Sequence, residues 1–596
     1  MMKIIKGASL PLLLSSLCVT TVLAQGTYTA ASCNRTDVNA VINGPTHKAV
    51  DGDIIIIPAG TCTWTSGVTV SGVGIDITGQ GTPNAGAGTT GAGTSTTTIV
   101  DNSSSALFSF TRLVYGKLAE VELLNVNPMI SSTDSPFQFI GTCTSSGCAQ
   151  IRVDNLSFPD GWVGKLPSSA LAITEDVFGV FDHNSILESS GGVVLTMINY
   201  PAWKGVGSYG DNGFSSADSM GTNQNIFIEN NYFRYTGAMQ NDVGATGGTG
   251  IGSSRVVCRY NTFVEEGSIC ASHGTSWLGR ERGTRQTEAY RNTVSNSIVG
   301  DAVEGINGGS GLMFENTVTG YFNEFLSLDV PRTWHSISPW NYCDGSQPWD
   351  TNDGTTYDSG TISTGGTGTF SDSGKSWTTN QWAGSAITKG MPYSAHDVTQ
   401  NVGMNIASNT SNRVTLSNDE GYVTWHIGDS YQILRATVCM DQPGRSGGTY
   451  YSGSSPSPTS AANQTLDPIY EWGDTQTSGG ASTVISRSAL LIANRDFYAE
   501  THNQAAQTSP TSPFNGTSGD GHGTLANRPI NCTAGVGYWA TDQGSWNQSA
   551  GEQGELFVCT ATNTWTLYYT PYTYPHPLTQ QGDPPAPPTK LQALSN

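Results

Sequence analysis

Charge is scarce in this chain. Only 12% of its 596 residues are Asp, Glu, Lys or Arg, while 72 are glycine, and such a composition cannot sustain long amphipathic helices. Basic residues are outnumbered 26 to 47, for a formal charge of −21, which argues against general nucleic-acid or acidic-membrane binding. Beyond the N-terminus no segment approaches the roughly 18 unbroken apolar residues of a membrane helix, so no membrane span is expected. A zinc-type His cluster and a phosphate-binding loop are also missing.

What is present begins with Lys3 and Lys6, an apolar run from Ala8 to Leu23, and the small residues Val22 and Ala24 before a cut. This is the pattern of a secretory signal peptide, residues 1–24, which implies a secreted, extracellular chain. Leu17 before Cys18 does not fit a lipoprotein anchor, so Cys18 is read as leaving with the signal. Ten cysteines then remain, an even number in an exported chain, which favours disulfides over metal thiolates. Pairing neighbours in chain order joins Cys33 to Cys62, Cys143 to Cys148, Cys258 to Cys270, Cys343 to Cys439 and Cys532 to Cys559, although connectivity cannot be proved from sequence.

Short apolar-alternating stretches such as Asp53–Ile57, Val68–Val70 and Leu107–Phe110 are bounded by Gly, Ser, Thr, Asn or Pro, as strands are. An Asn with an apolar residue two places on recurs at Asn184, Asn231, Asn261, Asn292 and Asn316, with Asn155 as a degenerate earlier copy. The last four are 30, 31 and 24 residues apart, a solenoid-like period. The expected fold is all-β, a right-handed parallel β-helix in which Asn takes the left-handed turn of each coil and forms a side-chain ladder. An ordinary β-sandwich is the alternative. The expected divisions are the β-helix over 25–356, a small inserted β-domain over 357–434, β-helix and a C-terminal cap over 435–578, and a Pro-rich tail over 579–596. Trp377, Trp382 and Trp425 of the insert suit core packing better than a sugar-stacking platform.

The stretch DGDIIIIPAGTCTWTS at Asp51–Ser66 with Gly79-Gln80-Gly81, and the later IFIENNYF and RVVCRYNTF, resemble coils of the pectate-lyase-like β-helix superfamily. The similarity covers roughly 30–340 and 437–500, at the level of fold, which alone assigns no chemistry.

Chemistry is signalled by arginine. Six of the 17 arginines, at 255, 259, 280, 282, 285 and 291, fall within 37 residues, and no lysine lies between Lys204 and Lys375. A cationic patch on an acidic protein can recruit a carboxylated polymer, because guanidinium pairs bidentately with carboxylate. The segment RERGTRQTEAYRN at Arg280–Asn292 resembles the pectate lyase pattern of two arginines five residues apart before a coil-turn Asn, with Arg282 where that family has proline. The resemblance implies Arg280 as the base and Arg285 as a substrate ligand, with Arg282, Arg259 and Glu288 beside them. His273 is the other candidate proton carrier. Calcium, the family's usual neutraliser of the uronate carboxylate, would draw on Asp211, Asp218, Glu229 and Asp242.

The expectation is therefore a secreted, monomeric polysaccharide lyase that cleaves an acidic polysaccharide by β-elimination. The alternatives are a non-catalytic glycan-binding adhesin and a glycoside hydrolase on the same fold, although the Asp-Asp pair and Asn-Thr-Asp of the polygalacturonase-like family are absent. Gly444–Gly448 fits G-x-S-x-G, yet no helical pattern follows it, and a loop is expected. His576, between Pro575 and Pro577, is expected to be structural.

Overall fold

A computed structural model describes residues 26–580 except 82–95, 115–120, 125–126, 131–135, 143–147, 159–171, 189–195, 200–212, 215–216, 236–248, 251–252, 266–268, 273–281, 331, 333–342, 344–350, 353–354, 384–392, 417–422, 439–441, 447–464, 478–481, 487–489, 501–512 and 550. The expected signal peptide and nearly all of the Pro-rich tail lie outside the described residues. The chain is mostly β, and its main body consists of parallel sheets. Among the described residues no helix is long and apolar enough to cross a membrane.

The parallel strands form ladders that the chain visits in turn. Ladder one has twelve strands, among them Ala149–Asp154, Val177–Asp182, Ile226–Glu229, Arg255–Arg259, Gln286–Tyr290, Ser310–Phe314, Ile469–Trp472 and Phe497–Ala499. After each of the strands from Ala149–Asp154 to Ile469–Trp472 the chain enters ladder two, through Ser157–Phe158, Ser185–Glu188, Tyr232–Tyr235, Thr262–Val264, the first parts of Thr293–Ile306 and Thr317–Leu328, and Thr475–Gln476. Ladder three takes Ala172–Glu175, Thr196–Asn199, Thr249–Gly250, Ala271–Ser272, the far parts of the same two long strands, and Ser482–Ser486.

Alternation within each strand sends one set of side chains inward. Ladder one stacks Val153, Phe181, Ile228, Cys258, Ala289 and Met313 in one column, and ladder two stacks Phe158, Ile186, Phe233, Phe263, Val294 and Val318. These belong to one buried cluster, and burying each large side chain contributes about 1.5–3 kcal/mol.

The repeated asparagines meet between ladders one and two. The side-chain amide of Asn184 donates to Asn231, Asn231 to Asn261, Asn261 to Asn292 and Asn292 to Asn316, at 2.9–3.0 Å. Asp474 ends the row by accepting from Asn316 at 2.9 Å. One detail differs from expectation: the left-handed residue is the one before each ladder Asn, namely His183, Asn230, Tyr260, Arg291 and Glu315, with φ of 54–57°. The backbone kink thus falls on a residue whose side chain leaves the core, and Asn is kept for its four hydrogen-bonding groups. Asn155, itself left-handed at φ 54°, corresponds to His183; Leu156 occupies the ladder position and donates its backbone N–H to Asn184.

The inserted domain is closed at its base by antiparallel pairing of Thr351–Asn352 with Ala436–Val438. It has a seven-stranded sheet and its own core. Trp377, Trp382 and Trp425 are 8%, 6% and 1% exposed within that core, so they pack the domain and present no platform. Disulfides join Cys33 to Cys62, Cys258 to Cys270 and Cys532 to Cys559. Cys148 and Cys343 are also disulfide-bonded, while Cys143 and Cys439 lie outside the described residues.

The C-terminal unit, with strands Asp520–Gly523, Gly537–Ala540, Glu555–Ala561 and Thr564–Tyr569, was expected to cover an open apolar end. Its buried side chains also run along the outer face of ladder one, besides meeting the last strand's neighbourhood where His522 pairs with Glu500 at 2.8 Å. That face carries Phe227, Val257, Leu312, Phe314 and Trp472, which form one apolar cluster with Trp539, Trp546, Leu556, Tyr569 and Leu578. Rings stack along it, Tyr290 on Phe314 at 4.5 Å and Phe314 on Trp472 at 4.4 Å. Outward-facing aromatics on a sheet need a cover: Trp539, Trp546 and Tyr569 lie over Tyr290, Phe314 and Trp472, and residues 570–578 continue it as a strap over Phe227 and Tyr260.

Candidate functional site

Strand register places two outward rows under the strap. One runs Arg152, Val180, Phe227, Val257, Glu288, Leu312 and Tyr470; its neighbour runs Asp154, Asp182, Glu229, Arg259, Tyr290, Phe314 and Trp472. Arg259, fully buried, donates to Glu229 at 2.7 Å, to the Tyr290 hydroxyl at 2.9 Å, and to the Tyr572 and Thr573 carbonyls at 2.7 and 2.8 Å. The second Glu229 oxygen accepts the His576 backbone N–H at 2.9 Å. A buried charge must be paired and hydrogen-bonded, and here the pair holds the strap. Glu229 and Arg259, expected to bind metal and substrate, are thus each other's partners. Burial lowers the His576 imidazole to about 3, so it is neutral under ordinary conditions.

The rest of the arginine cluster is also enclosed. Arg255, Arg282 and Arg285 are 2%, 1% and 2% exposed. Arg282 lies over the Phe214 ring at 4.6 Å, and Arg255 donates to the Gly213 carbonyl at 3.3 Å. Arg291 pairs with Glu315 at 2.7 Å. Among the described residues these guanidiniums form internal ties, not the open cationic patch that their density suggests. Glu288 accepts the Tyr569 hydroxyl at 2.5 Å and the Gly221 N–H at 3.0 Å, and burial pushes its carboxyl up to about 7.

The cluster reaches the surface at its rim. Arg285 donates to Asp467 at 3.1 Å. Asp467 also accepts the Ser446 hydroxyl, and the half-exposed Tyr568 phenol at 3.3 Å. The charge of Asp467 acts on Asp218, an exposed residue that caps its own turn through the Met220 N–H at 2.7 Å. Partial desolvation, then that neighbouring charge, raises the Asp218 carboxyl. Local desolvation of its hydroxyl, although the ring is half-exposed, and then the Asp467 charge likewise raise the Tyr568 phenol. The rim thus holds two carboxylates in unequal environments, a neutral phenol and a guanidinium, the components from which proton-transfer sites are made.

Sequence reasoning placed Arg285, Arg282 and Asp218 near one another and missed Asp467, Ser446 and Tyr568, which arrive from 182, 161 and 283 residues beyond Arg285. No motif marks Asp467 or Tyr568, and the G-x-S-x-G string that holds Ser446 was read as a loop. Arg445–Ser446, within the G-x-S-x-G string, is a short strand paired with Thr465–Leu466. Arg280, His273, Asp211 and Asp242 lie outside the described residues. Among the described residues no group of three or more His, Cys, Asp or Glu is arranged to hold a metal ion, and with both Glu229 oxygens engaged, Asp218 and Glu229 do not make a calcium site. Comparison with family models, curated proteins and solved structures returns no match.

Proposed function

We propose that the chain is a secreted right-handed parallel β-helix protein that cleaves a uronate-containing polysaccharide by β-elimination at the rim beside Arg285. The fold reading is supported by ladders visited in strict rotation and by the asparagine row at the same corner of five successive repeats. The observation that carries the chemistry is the Arg285, Asp467 and Tyr568 cluster; Arg285 follows shortly after Arg280 in the chain, where the resemblance puts the base.

In this reading the substrate carboxylate competes with Asp467 for the Arg285 guanidinium, and its neutralisation acidifies the proton on the adjacent carbon. Arg280 or His273 accepts that proton. The released electron pair forms the ring double bond, and the glycosidic oxygen leaves with a proton from Tyr568 or water. A second reading, hydrolysis, is favoured by one observation, the raised Asp218 carboxyl beside Asp467, an acid and carboxylate pairing that a glycosidase would use.

Incubation with pectate, alginate and glucuronan separates the readings. Ultraviolet absorbance of unsaturated uronate supports elimination, reducing ends without absorbance support hydrolysis, and retention on glycan with neither supports a binding protein. Asp467→Asn divides them again: it lowers KM in a lyase by freeing Arg285, and abolishes turnover in a hydrolase. Full activity in Arg280→Ala removes the assignment of the base.

A further inference from the structure

Four carboxyls converge where the last coils meet the C-terminal unit. Glu471 and Asp474 come from the strand Ile469–Trp472 and the turn after it, Glu500 follows the strand Phe497–Ala499, and Asp520 opens the first strand of the C-terminal unit. Glu471 and Asp474 are wholly buried, and Glu500 and Asp520 are 4% exposed. Register explains the depth: Glu471 follows Met313 in the inward column of ladder one, and Asp474 ends the asparagine row. The neighbouring charges that act on Glu471, Asp474 and Asp520 are one another's and that of Glu500. The cationic partner is His522, whose Nδ1 lies 2.8 Å from one Glu500 oxygen, while the other accepts the Gly473 N–H at 2.9 Å. The Tyr470 phenol also faces Asp520 but donates to the Gly535 carbonyl at 2.8 Å.

Two contacts require protons here. Glu471 and Asp474 bond side chain to side chain, and two carboxyls do so only with a proton between them. Neither side-chain oxygen of Asp520 has a hydrogen-bond partner, so an ionised Asp520 would be a bare charge in a dry site, beside other acids.

We propose that this cluster is a proton-operated latch, which seats the C-terminal unit on the last coils in acid and loosens it as pH rises. The cluster is divided between two bodies, with Glu471, Asp474 and Glu500 on the coils and Asp520 and His522 on the unit, so ionisation repels across the junction. Burial first, and then the charges of neighbouring acids, raise Glu471, Asp474 and Asp520 well above the ordinary carboxylate range. Acids this close release their protons as a set. A carboxyl raised by folding contributes its stability at low pH and loses it as pH climbs through the folded value. His522 does not reverse that sign, because an imidazole loses its charge, and with it the attraction to Glu500, in the same direction. Tyr568 belongs to the same unit, so loosening also draws the phenol from Asp467.

The latch is tested without turnover, so its failure and that of the reaction assigned to the rim are separate results. Amide exchange of the full chain, corrected for the intrinsic rate, is followed between about pH 5 and 9. The opening constant of residues 520–523 and 537–540 should rise by up to about tenfold per pH unit for each proton released. Residues 402–416 of the inserted domain, which has its own core, should stay level. Glu471→Gln with Asp520→Asn keeps both shapes without ionising and should hold the opening of 520–523 within about threefold over that range. Glu288→Gln, under the Tyr569 hydroxyl, should leave the steep rise intact, which separates the latch from the titration of Glu288. If the double variant does not fold, the wild-type comparison decides alone. Equal pH slopes for 520–523 and 402–416 in the wild-type chain, or an unchanged slope in the folded double variant, overturns the proposal.

Discussion

Replacing Asn261 by Leu tests the central corner of the fold. Asn261 Oδ1 accepts the backbone N–H of Asn231 at 2.9 Å and its side-chain amide at 3.0 Å, while Asn261 Nδ2 donates to the Ile228 carbonyl at 2.8 Å and to Asn292 at 3.0 Å. Leucine fills a similar space and makes none of these bonds. The amide of Asn231 keeps acceptors in the Phe181 and Glu229 carbonyls, so the group left bare is its buried backbone N–H. Stranding that donor costs about 1–3 kcal/mol, and loss of the remaining bonds adds about 1 kcal/mol each, partly offset by the apolar side chain. The expected destabilisation is about 2–4 kcal/mol, read as a lowered urea midpoint by far-ultraviolet circular dichroism. Amide exchange of residues 228–232 should accelerate alongside it. Thr293→Ala, exposed one strand further on, is the control and should stay within about 0.5 kcal/mol of wild type. A midpoint for Asn261→Leu equal to that of the control would refute the claim that the ladder bears load.

Other outcomes follow from the buried acids and the strap. Glu288, raised from 4.5 to about 7, binds its proton more tightly in the folded state, so its contribution is full below pH ~4.5 and is lost as pH rises through 7. Glu288→Gln removes this dependence and should gain up to about 3 kcal/mol on wild type between those limits, seen in paired denaturation curves. Glu471, fully buried and raised by burial and then by the Glu500 charge, has the same sign; in Glu471→Gln, stability should fall less steeply above pH ~4.3 than in wild type, and parallel curves would disprove the assignment. Tyr569→Phe removes a donor from the Glu288 carboxylate and should move the loss of stability to higher pH, whereas Tyr568→Phe should reduce uronate turnover or binding with no such displacement.

Much of this architecture was legible in the residues. The asparagine period was, because one side chain bonding its counterpart in the next repeat must recur with each repeat. Its exact turn position was not: Asn tolerates left-handed backbone, yet here the tolerance is demanded of Tyr260, Arg291 and Glu315 among others, residues with no preference for it that are held there by the ladder. The three disulfides follow neighbour order because each closes a loop of one repeat or less. The arginines misled for a definite reason. Alternation along Arg255–Arg259 tells which side chains leave the strand's inner face, but not whether the outer face meets water. For Arg259 that depends on residues 570–578, whose run of Tyr and Pro reads equally well as an end cap, and for Arg255 and Arg282 on Gly213 and Phe214.

The strap also decides where a substrate can lie. The outer face of ladder one is closed from Trp472, under Trp539, to Glu229, under His576, so a groove along the middle strands would require breaking the Arg259 contacts with Glu229, Tyr572 and Thr573 together. The strap begins beside the rim, and two adjacent residues divide the work there. Tyr569 donates to Glu288 and anchors the strand, while Tyr568 lies beside Tyr470 and donates to Asp467. The pairing of this strand shifts register at Tyr568, which lets both neighbours meet the sheet, so docking the C-terminal unit also delivers the phenol to the partner of Arg285. Chemistry at the rim is therefore coupled to a contact buried behind it, and the C-terminal unit is a component of the candidate site as well as a cover for the aromatic face.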